Sequence, residues 1–354
     1  MKWYNPQKAP FSISGFPFYE SDGVYRRLPL TPSHPLPEAV ERLADETAGG
    51  QIRFHAKLKQ LKIEVSLSAK PLYFANVKAP HLAQVTKSAF DLYASRDGED
   101  YVFLGVASEM SENDRYYTAK LLDYEEEAEL DFLLNFPLYG GVDKILIGVD
   151  DEAEISPAHK AFIDNQRLVI YGTSVQQGGC AGRPGMSESN LLSRWMNREV
   201  CNLGFNSSGK AEPEMAHIIG GIGDIAALII SIEGNCPDKT WLDEKLRAFI
   251  QIFRSYHREV PIVIIPFFIS GKDMLDKRSL AERLNNREIQ QKIVDDFNSS
   301  GDERVYLHLQ DNFIETEFDA HSVWHECTAD GLHANDLGFY WKAKALYTFL
   351  KETL

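Results

Sequence analysis

Near its carboxyl end the chain reads Asp330-Gly331-Leu332-His333-Ala334-Asn335-Asp336. A carboxylate three residues before an imidazole can fix the tautomer of the ring, and histidine is the side chain best suited to take a proton from a hydroxyl at neutral pH. A hydroxyl to match it stands in Tyr171-Gly172-Thr173-Ser174-Val175, where an apolar run ends in a tight strand-to-helix turn. Such a turn holds a serine exposed, so that its oxygen can attack a carbonyl carbon. Turn serines and DxxH spacings are each common, and neither alone specifies an activity.

Attack on a carbonyl builds negative charge on oxygen, and two further stretches carry donors for it. Asn202-Leu203-Gly204-Phe205-Asn206-Ser207-Ser208-Gly209 is a small-residue loop with backbone N–H groups to spare. In Ser231-Ile232-Glu233-Gly234-Asn235-Cys236, the amide of Asn235 can point its NH2 at the same charge, although capping the next helix is the commoner use of such a residue.

The elements that must position these residues follow from periodicity. Near-continuous apolar runs at Leu168 to Tyr171, Val200 to Phe205, Ala226 to Ile232, Ile262 to Ile269 and Val305 to Leu309 predict buried parallel strands. Helical patterns at roughly 187–197, 211–220, 239–258, 279–298 and 335–352 fill the gaps. Five strand–helix units predict a flavodoxin-like, doubly wound parallel sheet, whose ligands sit beyond the carboxyl ends of the strands. Each candidate residue above follows such a run.

The first 160 residues have another rhythm. Ile52, Phe54, Ala56 and Leu58 alternate in one segment and Leu61, Ile63, Val65 and Leu67 in the next, which predicts half-buried antiparallel strands. Phe90, Leu92 and Ala94 lead through Asp97-Gly98 to a returning Tyr101 to Leu104, a hairpin. Leu130, Phe132, Leu134 and Phe136 repeat the alternation, and Val142 to Val149 forms another strand. Many short strands predict an all-β sandwich or jelly roll, with a single helix near 37–45 as its accessory. The acidic stretch Asp150 to Pro157 reads as a linker, giving an accessory domain at 1–160 and a catalytic domain at 161–354.

A serine after the first strand, small residues after the second, an asparagine after the third and DxxH before the last helix occur in this order within one α/β unit. The order resembles the four sequence blocks of the SGNH (GDSL-like) hydrolases, over about residues 166–354. The resemblance implies a serine esterase with Ser174 as nucleophile, His333 as general base and acid, and Asp330 orienting it. It further implies oxyanion donors from the Ser174 N–H, a block-two N–H and Asn235. The chain departs from the family at Thr173, where the block usually carries aspartate, and at Ser207, where the count from Asn202 usually reaches glycine. Gly204 and Gly209 are alternative registers. A sandwich ahead of such a domain is similar to a subset of bacterial carbohydrate esterases and some acyltransferases, a likeness of architecture rather than motif.

Composition narrows the field. A net charge of −15 without a basic stripe disfavours nucleic acid, and no apolar run is long enough to span a bilayer. The amino terminus lacks the features of a secretory signal, so a cytoplasmic protein is expected. Cys180, Cys201, Cys236 and Cys327 have no CxxC spacing and are read as free thiols. Gly178 to Gly185 lacks the pattern of a phosphate-binding loop and is read as shaping the mouth of the site. His321 and His325 have i,i+4 spacing but no accompanying carboxylate pattern, so neither metal nor other cofactor is expected. Trp324 is a candidate wall for substrate, with core packing equally open.

The expected substrate is a small-molecule or oligosaccharide ester, most plausibly an acetylated carbohydrate. An acyltransferase with the same triad and an inert carbohydrate-binding protein are the alternatives. Oligomeric state is left open.

Overall fold

The computed structural model describes residues 1–69, 81–108, 115–160, 162–310 and 324–354, with the Trp324 side chain outside the description. Among the described residues, thirteen strands divide between two sheets.

The first sheet is antiparallel and holds β1 (Lys2–Tyr4), β2 (Ser12–Ser14), β3 (Gln51–Leu67), β4 (Asp91–Ser95), β5 (Val102–Val106), β6 (Tyr116–Asn135), β7 (Val142–Val149) and β8 (Glu154–Ser156). The two alternating segments at 51–67 are one strand, not two. Ladder irregularities between Leu58 and Gln60 and between Leu61 and Lys62 move the core-facing positions from even to odd numbers. An extra residue of this kind shifts the two-residue period by one. The side chain of Asp150 stabilises the break by accepting from the backbone N–H groups of Lys59 and Gln60 at 2.8 and 2.9 Å. Both halves of β3 therefore present to one apolar cluster, with Phe54, Ile63, Phe90, Phe132 and Ile147 among its buried members. The acidic stretch expected as linker contributes β8, which pairs with His55 to Lys57 of β3.

The second sheet has five parallel strands, β9 (Arg167–Gly172), β10 (Glu199–Gly204), β11 (Ile225–Ser231), β12 (Ile262–Ile264) and β13 (Val305–Leu307), in the order β10-β9-β11-β12-β13. This is the doubly wound arrangement expected. Its helices are Glu188–Met196, Pro213–Gly220, Lys239–Tyr256, Lys277–Ser299 and Asp336–Thr353, each close to its expected span. β12 is shorter than its apolar run because Pro266 brings no N–H to the ladder and the chain leaves the sheet before it.

The helix Glu38–Leu43 corrects another expectation. Its buried Val40 and Leu43 pack with Leu28 and Ala44 against the parallel-sheet core, beside Leu203, Phe205 and Met215, not against the antiparallel sheet. Tyr139 and Leu138 likewise join the apolar cluster on the other face of the parallel sheet. Two segments of the first half are thus built into the second.

Candidate active site

The strand register sets the three loops side by side. Gly172 of β9 is paired with Gly204 of β10 on one side and Ser231 of β11 on the other, so all three strands end at one level. The approach is close enough to require glycine: a Cβ on Gly172 would lie 2.3 Å from the Ser231 carbonyl oxygen, and one on Gly204 would lie 2.1 Å from the Gln177 nitrogen.

Beyond β9 the chain turns at once into the short helix Ser174–Gln177. Thr173 is its N-cap, with its hydroxyl accepting from the Val175 N–H at 3.3 Å and the Gln176 side chain accepting from the Thr173 N–H at 3.1 Å. The residue that departs from the family pattern thus performs the capping that a short polar side chain can do. Ser174 sits at the first turn, 8% exposed, and its Oγ lies 2.9 Å from His333 Nε2.

His333 comes from the loop before the last helix. Its Nδ1 lies 2.8 Å from Asp330 Oδ2, and the other oxygen of Asp330 accepts from the backbone N–H groups of His333 at 2.7 Å and Leu332 at 3.0 Å. Partial burial pushes the Asp330 carboxyl up, but the backbone and ring N–H groups of His333 with the Leu332 N–H outweigh it and hold the group below its usual range. Asp330 is therefore an anion at neutral pH, placed to hold Nδ1 protonated and Nε2 free toward Ser174. Asn335 caps the following helix, accepting from Gly338 N–H at 3.0 Å, and anchors the loop by donating to the Glu326 carbonyl at 2.6 Å.

The structure also places the second and third loops. Asn235 Nδ2 donates to the carbonyls of Ser208 and, at 3.4 Å, Phe205, so this amide first of all ties the two loops together. Gly204 has its N–H taken by Asn202 Oδ1 at 3.0 Å. Gly209 is packed so that a Cβ would lie 2.0 Å from the Gly172 oxygen. Ser207 is exposed, with φ +55°, a left-handed conformation that ordinarily favours glycine.

Several residues that hold the site come from the first half and carry no local signal. Arg27, fully buried, donates to the carbonyls of Gly204 and Leu43 and lies 4.4 Å over the Phe205 ring. Burial pulls its pKa down to about 10 against the opposing pull of Glu46, so it remains a cation at neutral pH. Glu46 is pushed up to about 8 by burial, with Arg27 opposing. Gln177 joins the halves: its Nε2 donates to Glu46 and to the Leu138 carbonyl at 3.1 Å, while its Oε1 accepts from the Asn206 N–H at 2.9 Å. The Tyr139 hydroxyl donates to the Ser174 carbonyl at 3.3 Å.

The glycine-rich loop after the nucleophile is clamped to the antiparallel sheet. Buried Asp91 of β4 accepts from the Gly185 N–H at 2.7 Å and pairs with Arg183 at 3.1 Å. Cys180, in the same loop, is buried with φ +67°, and burial beside Asp330 pushes its thiol up to about 12, so it is not a competing nucleophile. His81, which the sequence did not single out, lies with its ring 5.7 Å from that of His333. His321 and the side chain of Trp324 fall outside the described residues, and the four cysteines are free.

This fold and this constellation define an ester hydrolase of the SGNH type. Residues 165–351 match the GDSL-like lipase/acylhydrolase family and residues 1–155 match the N-terminal region of SGNH-hydrolase-type esterases; the chain belongs to the GDSL-like lipase/acylhydrolase family. Among curated proteins there is no sequence match. A GDSL-like lipase candidate from Bacteroides ovatus is 26% identical, with a TM-score of 0.86 over 99% of this chain and 97% of that one. A salicylyl-acyltransferase from a tetracycline biosynthetic pathway is 14% identical, with a TM-score of 0.71 over 98% and 95%. An acetyl xylan esterase from the rumen bacterium Butyrivibrio proteoclasticus is 11% identical, with a TM-score of 0.57 over 99% and 98%. The last two likenesses are of fold.

Proposed function

We propose that the protein removes short acyl groups, acetyl foremost, from carbohydrate esters through an acyl-enzyme on Ser174. The observation that carries the reading is the chain of hydrogen bonds from Ser174 Oγ through His333 to Asp330 at the carboxyl edge of the parallel sheet. Ser174 Oγ attacks the ester carbonyl as His333 Nε2 takes its proton. The imidazolium, stabilised by Asp330, then protonates the departing alkoxide, and the sugar leaves as an alcohol. Water, deprotonated by the same nitrogen, attacks the acyl-enzyme, and Ser174 recovers its proton.

The developing oxyanion is assigned to the N–H groups of Ser174 and Ser207 and to the amide of Asn235, which turns from the Phe205 and Ser208 carbonyls to reach it. Ser207 is favoured over Gly204, which has spent its N–H, and is the position reached by the count from Asn202. In support of a sugar ester, structural neighbours include carbohydrate esterases. No described helix is long and apolar enough to cross a membrane. Four free cysteines fit a reducing cytoplasm, which cell fractionation would check.

The deciding experiment compares wild type and Ser174→Ala on acetyl, butyryl and octanoyl esters of one chromogenic leaving group, then on acetylated oligosaccharides. Activity falling with chain length, higher kcat/KM on the oligosaccharide, and loss of both in the variant are expected. Preference for octanoyl would overturn the acetyl assignment, and an active variant would overturn the nucleophile. The fold likeness to an acyltransferase over nearly the whole chain favours one second reading, transfer to an acceptor alcohol. Acyl product on an added acceptor, in excess of hydrolysis, would establish it.

A further inference from the structure

On the antiparallel sheet, away from Ser174, three polar side chains converge and leave one buried ring nitrogen without a hydrogen bond among the described residues. His55 of β3 and Asp131 of β6 are directly cross-strand paired, and His159 arrives from the segment that follows β8. Asp131 is fully buried, and among the described residues its partners within ion-pair distance are two imidazoles, with no lysine or arginine. Its Oδ2 lies 3.0 Å from His159 Nδ1 and its Oδ1 lies 3.5 Å from His55 Nδ1. His55 is 7% exposed, and among the described residues that Nδ1 has no hydrogen-bond partner. Asp131 is held by His159, whose backbone N–H donates to Oδ1 at 2.8 Å, so the group left wanting is the buried His55 nitrogen, whose desolvation a cation shared with the carboxylate would offset.

The spacing fits a metal ion. Ligand atoms held at about 2.0–2.1 Å in a tetrahedron lie about 3.3 Å from one another, and the 3.0 and 3.5 Å separations run to different oxygens of Asp131, so the carboxylate would hold the ion with both, after a turn of the His159 ring, whose centroid lies 3.9 Å from that of His55. The ligating atoms of all three residues lie within 4.8 Å of one another. The outer contacts fit as well. His55 Nε2 faces Glu129 Oε1 at 3.4 Å, the carboxylate that would hold a proton on that nitrogen and leave Nδ1 free to bind. His159 is more than half exposed, which gives the ion a path in and a water for the fourth position.

We propose that His55, Asp131 and His159 form a structural site for a divalent transition metal, Zn2+ foremost, that staples the segment leading into β9 to the antiparallel sheet. Two imidazoles and one carboxylate suit zinc, with nickel and cobalt as weaker-selected alternatives of the same ligand preference. The site does not take part in ester cleavage. Two residues before His55, Arg53 donates at 3.1 Å to Asn197, the cap of the Glu188–Met196 helix that precedes β10. This contact puts the cluster at the amino-terminal edge of the parallel sheet, opposite the edge that carries Ser174.

The test uses the full chain, stripped with EDTA and returned to chelator-free buffer. Isothermal titration with ZnCl2 should give one equivalent bound, and a hundredfold excess of zinc over Kd should raise Tm by about 3–5 °C. His159→Ala, a change at a half-exposed side chain, should abolish both while leaving esterase activity without metal within about twofold of wild type. His55→Gln should lose at least tenfold in affinity. Cobalt serves as the spectroscopic probe. A visible spectrum without thiolate charge transfer supports the imidazole–carboxylate site, whereas thiolate charge transfer would put the ion at the other cluster with metal-ligand spacing, His81, Cys180, Asp330 and His333, and overturn the proposal. Equal binding by wild type and His159→Ala, or no binding of zinc at 100-micromolar protein, would overturn it too.

Discussion

Ser174 and His333 meet in one hydrogen bond but are held by opposite kinds of support. The His333 loop is organised from within: Asp330 accepts from the backbone of Leu332 and His333 as well as from the imidazole, and Asn335 closes the turn. Nearly every bond that shapes it spans fewer than ten residues. The Ser174 turn is held from afar, by Tyr139 on its carbonyl, by Gln177 reaching Glu46 and Leu138, and by Arg27 gripping the neighbouring Gly204 loop. The base is a local motif, while the nucleophile depends on a frame supplied by the other half of the chain. Changes in the two regions should consequently fail in different ways.

The largest expected effect is on the local side. Asp330→Asn should lower kcat by about 10⁴-fold by stabilising the wrong imidazole tautomer, with little change in the unfolding midpoint because the site is partly exposed. A loss under tenfold would show that Ser174 and His333 suffice as a dyad. Asn235→Ala comes next, with kcat down about 10²- to 10³-fold if its amide meets the oxyanion. Because the same amide ties two loops, a stability measurement must accompany the kinetics, and a pure KM effect would move the donor elsewhere.

On the frame side the effect should appear first in stability. Arg27→Met removes a buried cation and leaves the Gly204 and Leu43 carbonyls without their donor, at a cost of about 3 kcal/mol read from urea unfolding. It should also lower kcat, since the Gly204 loop carries Ser207. Full activity in a destabilised variant would break the claimed dependence of the nucleophile on the first half. Thr173→Ala should cost about 1 kcal/mol as a lost cap, and Thr173→Asp should recover most of it.

The smallest effect is expected at Ser207. Ser207→Gly relieves a left-handed φ and should leave Tm equal or raise it by a degree or two, with activity retained. Ser207→Pro cannot adopt that φ and deletes the N–H, so an active, well-folded proline variant would remove this residue from the oxyanion assignment.

The contrast also explains what could be read from the sequence. DxxH, the serine turn and the asparagine after the third strand are short-range patterns, and the apolar runs of the parallel sheet are signalled by burial on both faces. The long strand β3 was legible in its alternation but not in its unity, because a bulge looks like a strand end until the partner strand is known. The helix at 38–43 was legible as a helix, but nothing in its pattern of apolar positions says which sheet it covers. Arg27, Glu46, Gln177 and Tyr139 had no signal at all. Their partners lie up to 177 positions away, and a single buried arginine looks like any surface arginine until its surroundings are known.

That separation has a consequence in time. When residues 25–48 are made, the loop that Arg27 grips is still 177 positions further along the chain, and the strands that cover Leu28, Val40 and Leu43 begin only at Arg167. At synthesis rates of about 5–20 residues per second, this apolar segment waits roughly 10–35 s for its partners. For that interval the nascent chain shows the cell a sticky face that the finished protein never displays, and its yield should rise with slower growth temperature or added chaperone.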